Sequence, residues 1–96
     1  MKLTLNKKHN FRQLERIVRG FSNHRRIEIL GLLEKHPELS VVGISEKLNV
    51  NFKTVADHIR RLTIAGLVMK KSLGPSVCHR LTKRGKAVLK FLRTLE

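Results

Sequence analysis

Lys53, Asp57 and Arg60 are spaced so that, at 100° per residue, a helix turns all three to one side, with Ile64 extending the row and Thr54, Ala56 and Arg61 flanking it. Such a row suits the edges of bases in a nucleic-acid groove. Lys53 or Arg60 can donate to guanine O6 and N7, Asp57 can accept from cytosine N4, Thr54 offers a hydroxyl, and Ala56 can touch a thymine methyl. Asp57 has a second reading: it stands four residues after Lys53 and four before Arg61, so it can instead orient those side chains through pairs one turn apart. Val55, Ile59 and Leu62 form the apolar stripe that sets the buried direction of the same helix.

Charge gives that row a partner class. The 96 residues carry 21 Lys and Arg against 7 Asp and Glu, a net +14, which predicts a polyanionic partner. Residues 1 to 46 hold 9 basic and 5 acidic side chains (+4), whereas residues 47 to 96 hold 12 and 2 (+10), so the C-terminal half faces the polyanion. With 41% hydrophobic residues the chain can build one modest core, which disfavours disorder and excludes a large multi-domain enzyme. No Ser-His-acid or Cys-His arrangement and no phosphate-cradling glycine loop stands out, so no enzyme is expected. Cys78 is the only cysteine, no run of about 18 apolar residues exists to span a membrane, and the start MKLTLNKK lacks an apolar signal region. A reducing cytoplasm is the expected setting.

The elements that must position the row read as five helices and a hairpin in a single domain, residues 1 to 96, with residues 1 to 9 expected to be flexible. Asn10 and Gln13 form a capping box for a first helix that Gly20 should stop. A second, mostly buried helix begins near Ser22 or Asn23, carries Ile27, Ile29, Leu30, Leu32 and Leu33, and ends before Pro37. Ser40 caps a short third helix. Asn49, Val50 and Asn51 make a tight turn, and Asn51 caps the fourth helix, Phe52 to about Ala65, stopped by Gly66. Leu67 to Lys71 and Val77 to Leu81 read as strands joined by Ser72 to Ser76, with Val77, His79 and Leu81 on one face and Cys78 and Arg80 on the other. Thr82 caps a last helix with an apolar band of Val88, Leu89, Phe91, Leu92 and Leu95.

HRRIEILGLLEKHPELSVVGISEKLNVNFKTVADHIRRLTIAGLV, with the hairpin and HRLTKRGKAVLKFL, resembles the ArsR-type winged helix-turn-helix regulators over about residues 22 to 92, with a MarR-like final segment. The resemblance implies a mainly α fold with a two-stranded wing, and a homodimeric cytoplasmic transcriptional regulator, usually a repressor, that reads an inverted repeat in double-stranded DNA. Helix four would lie in the major groove. Ser40, Arg61, Lys70, Lys71, Arg80, Lys83 and Arg84, together with Thr54 and the amides beside it, are candidates for the DNA backbone. The hairpin tip SLGPS lacks the arginine often found in ArsR-type wings. Helices one and five would form the dimer through Phe11, Leu14, Ile17 and Val18 and through Val88, Leu92 and Leu95.

Metal sensing through the family's usual ligands is not expected, and no cofactor is. Ser40 and Val42 stand where many relatives carry a Cys pair, and residues 83 to 96 contain no His, Cys or Asp. The five histidines lack one-turn pairing. His58 should flank the core, and a site assembled across a dimer from His9 or His24 is the remaining metal reading. Cys78 beside His79 and Arg80 reads either as an activated thiol or, more simply, as a small hydrophobe in the sheet. Two other functions remain as alternatives: a sequence-tolerant, architectural nucleic-acid binder, which the charge of +14 would serve equally well, and a protein-interaction module of a transcription assembly, in which the wing or helix five meets another chain.

Overall fold

The computed structural model describes residues 10–96; the expected flexibility of residues 1 to 9, and His9 with it, lies outside them. The order is α1 Phe11–Phe21, α2 His24–Lys35, α3 Val41–Leu48, α4 Phe52–Ile64, β1 Val68–Leu73, β2 Ser76–Leu81 and α5 Lys83–Arg93. Polar caps set the helix starts, because the first amides of a helix have no partner within it. Asn10 and Gln13 form the reciprocal box at α1, Asn23 accepts from Arg25 and Arg26 at α2, Ser40 from Gly43 at α3, and Thr82 from Gly85 at α5.

α2 is the central helix, packing on α1, α4, α5 and β2. Its Ile29, Leu30 and Leu33 meet Ile44 of α3, Val55, Ile59 and Leu62 of α4, and Leu67 and Val68 in one core. Each of these side chains contributes about 1.5–3 kcal/mol by leaving water. The stripe that defines the buried side of α4 is therefore where its spacing requires, and the opposite side is left outward.

Two local expectations need correction. Gly20 does not stop α1, which runs on to Phe21 before the Ser22 amide closes on the Arg19 carbonyl. Gly20 is needed for approach instead: a Cβ there would lie 2.4 Å from the Ala65 Cβ where α1 crosses α4. The hairpin loop is only Gly74 and Pro75, since Leu73 already pairs with Ser76. Gly74 at φ +63 supplies the positive angle that a two-residue turn needs first, and Pro75 fixes the second angle negative. The wing also has a third component. Leu39 bridges β2, its carbonyl accepting from the His79 amide at 2.9 Å, so the segment before α3 is tied to the root of the wing.

Candidate nucleic-acid interface

α3 and α4 are joined by a turn in which Asn49 takes the left-handed conformation (φ 53) that asparagine tolerates. Ser45 Oγ donates to the Val50 carbonyl at 2.6 Å and fixes this turn. Asn51 then accepts from the amides of Lys53 (2.8 Å) and Thr54 (3.3 Å). Two amides proposed for phosphate contact are thus already engaged, and the side chains of Lys53 and Thr54 are what α4 offers at this end.

Along α4 the outward row is intact. Lys53, Thr54, Arg60 and Arg61 are exposed, Ala56 and Asp57 are half-buried, and Ile64 is 74% exposed. Asp57 makes one-turn pairs: Oδ1 accepts from Arg60 Nη2 at 2.8 Å and Oδ2 from Arg61 Nε at 3.0 Å, while Lys53 takes no part in them. Hydrogen bonds from Arg60, then Arg61, hold the Asp57 carboxyl below its ordinary range, so it stays an anion that orients two guanidinium groups. One carboxylate therefore aims two of the candidate cations.

The wing cations divide. Lys70 and Lys83 are exposed. Lys71 Nζ lies 3.3 Å from Glu38 Oε1, and Arg80 Nη2 bonds the same oxygen. Sequence reasoning missed Glu38, and nothing local marks it: the pairs span 33 and 42 residues. Glu38 is held at φ +68, a conformation that is strained for a residue with a Cβ, and the Leu39 bridge beside it and the two cations keep it there. The Arg80 hydrogen bond, then that of Lys71, depresses its carboxyl. Arg84 is also engaged, Nη1 donating to the Ala65 carbonyl at the end of α4 at 2.9 Å.

Between α4, the start of α3 and the wing lies a cleft of about 630 Å³ lined largely by aliphatic and aromatic side chains, among them Phe52, Ala56, Ile59 and Val77. His79 lines it too, 2% exposed with Nδ1 unpartnered, and burial pushes its ring below the usual histidine range, keeping it neutral. Cys78, 4% exposed, donates to the Lys71 carbonyl at 3.3 Å and is packed in the sheet as a small buried residue. His58 is half-buried against Arg26, flanking the core as expected. Among the described residues no three His, Cys, Asp or Glu side chains gather as metal ligands would, and no helix is long and apolar enough to cross a membrane.

Of the expected dimer residues, Phe11 (64%), Val18 (51%) and Leu95 (66%) are exposed, while Leu14, Ile17, Val88 and Leu92 are half-buried. The last three of these pack against the chain's own core. Phe91, placed in the α5 band but not among the dimer residues, is 55% exposed.

A family model for winged helix-turn-helix DNA-binding domains matches residues 22–69, from the end of α1 into β1. This chain belongs to the winged helix-turn-helix DNA-binding family. No curated protein matches its sequence. Among solved structures it is similar to the homodimeric winged helix-turn-helix domain Mb0332 of Mycobacterium bovis, a possible ArsR-family transcriptional regulator, with a TM-score of 0.82 and 23% identity over 99% of this chain and 89% of that one. It is similar to an ArsR-like transcriptional regulator from Rhodococcus sp. RHA1, with a TM-score of 0.74 and 27% identity over 88% and 75%. It is also similar to a MarR family protein from Bacillus stearothermophilus, with a TM-score of 0.73 and 22% identity over 86% and 59%. The two likenesses at 22% and 23% identity speak to the fold alone. The ArsR-type resemblance read from the sequence is supported, and the protein is a DNA-binding winged helix-turn-helix domain of the transcription-regulator type.

An acid that neutralises two wing cations would compete with any phosphate brought to them. Glu38→Gln is expected to steepen the dependence of duplex affinity on salt by roughly 1 to 2 in log–log slope, as Lys71 and Arg80 become free to meet phosphates. Anisotropy titrations at several salt concentrations measure this, and an unchanged slope would show that neither cation lies near the backbone.

Proposed function

We propose that this protein is a homodimeric transcriptional regulator of the cytoplasm, a repressor by its ArsR-type resemblance, that reads an inverted repeat in double-stranded DNA. The observation that carries the reading is α4 itself. Its Val55, Ile59 and Leu62 are sunk in the core, so Lys53, Asp57 and Arg60 face solvent on a helix narrow enough for a major groove about 12 Å wide. Lys53, Thr54, Ala56 and Arg60 touch base edges, and Asp57 fixes the direction of Arg60. Ser40, Arg61, Lys70 and Lys83 meet the backbone, joined by Lys71, Arg80 and Arg84 where phosphate outcompetes their internal partners.

The exposed Phe11, Val18 and Leu95 supply apolar surface for a second copy, and the similar Mycobacterium bovis domain is homodimeric. Two-fold symmetry then sets two α4 helices about 34 Å apart, one turn of duplex. Selection of bound fragments from genomic DNA with the purified protein tests both points, because a recovered palindrome reports base reading and symmetry together. Lys53→Ala or Arg60→Ala is expected to relax preference at one or two base pairs by about 1–3 kcal/mol, whereas Lys70→Ala weakens all sequences alike.

The net charge of +14 favours one rival, a sequence-tolerant architectural binder. A specific-to-nonspecific affinity ratio below about 10³ would decide for it.

A further inference from the structure

On the side of α4 away from the wing, beside the tight crossing at Gly20 and Ala65, arginines from three helices come together. Arg16 and Arg19 of α1, Arg60 and Arg61 of α4, and Arg84 of α5 rim one groove of about 490 Å³ with an aliphatic floor. Three are fixed: Arg60 and Arg61 by Asp57, and Arg84 by the Ala65 carbonyl. Arg19 approaches Glu15 at 3.7 Å, and Arg16 has no ion-pair partner among the described residues. Five guanidinium groups therefore share two carboxylates, and the surplus creates a potential that an anion relieves. Guanidinium forks match phosphate oxygens in pairs, which a lysine cluster would not.

The groove begins where the outward row of α4 ends, since Arg60 and Ile64 belong to both. A helix seated in a major groove has a phosphate strand on each flank. On the wing flank two cations are occupied by Glu38, but the opposite flank carries this arginine groove.

The geometry points to the α1/α4 groove as a phosphodiester clamp, in which Arg16 and Arg19, with Arg84, hold the DNA strand on the flank of α4 opposite the wing. This rests on the duplex-binding reading above. It also gives α1 two separate edges, because Arg16 lies roughly 160° around the helix from both Leu14 and Val18. A second copy on the apolar edge leaves the arginine edge open.

The test compares wild type, Arg16→Gln, the double variant Arg16→Gln/Arg19→Gln, and Lys35→Gln/Lys90→Gln, which removes the same charge from α2 and α5. All four substituted side chains are exposed, so melting midpoints should agree and confirm folding. The single variant should make the log–log salt slope shallower by about 1 and the double by about 2, with sequence preference unchanged. Between about 50 and 200 mM salt the gap between double variant and wild type then narrows roughly tenfold.

An unchanged slope, or an equal change in the α2/α5 control, overturns the clamp. If wild type binds and Lys53→Ala loses base preference while the double variant behaves as wild type, only the clamp falls. If wild type binds no duplex at low salt, the duplex-binding reading falls and takes the clamp with it.

Discussion

Replacing Gly85 with alanine is expected to lower the melting midpoint by about 5–25 °C. A Cβ at Gly85 would stand 2.1 Å from the Leu67 carbonyl oxygen and 3.3 Å from Leu81 Cδ2. The first obstacle is main chain, so no rotamer change relieves it. That carbonyl also accepts from the Thr82 amide at 3.1 Å, and Thr82 Oγ1 both donates to Gly66 and receives the Gly85 amide. An alanine must displace this whole junction between α4, β1 and α5. Overpacking of this kind costs about 1–3 kcal/mol or more, and in a domain of this size each kcal/mol moves the midpoint by about 4–8 °C. Circular dichroism melting of the variant checks it; a midpoint within a few degrees of wild type would mean that α5 stands off the sheet.

The second large effect is ionic. Affinity for duplex should fall with a log–log salt slope of about −0.9 per phosphate, near −6 for six contacts, so that six to ten contacts lose on the order of 10³–10⁵ in affinity between 50 and 200 mM salt. Exposed cations stand on α1, α4, the wing and α5, while Asp57 and Glu38 are each bound to two cations. Binding that is nearly flat in salt would remove electrostatics as the source of affinity.

Sequence periodicity sufficed for the helices because each has a side-chain cap and a stripe that its neighbours bury, as Asn51 and the Val55, Ile59, Leu62 row do for α4. Both are local signals. What escaped was non-local. Gly20 looks like a helix stop in one dimension and becomes a crossing point only when Ala65 is brought against it. Glu38 is one acid among seven until the chain folds it onto Lys71 and Arg80. Arg16 and Arg19 read as solvated surface along α1, and only the crossing sets them beside Arg60, Arg61 and Arg84. Asp57 lay between these cases, since its reach to a neighbour one turn away was legible but its choice of Arg60 and Arg61 over Lys53 depends on rotamers.

The bridge from Leu39 to His79 makes the hairpin a cantilever, clamped at its base and loose at Gly74 and Pro75. Load applied at the free end is delivered as torque to the clamp, and the residue after the clamp is Ser40, whose hydroxyl starts α3. Deflecting the hairpin tip therefore strains the first turn of a different helix, making strand and helix one mechanical lever rather than two independent fingers.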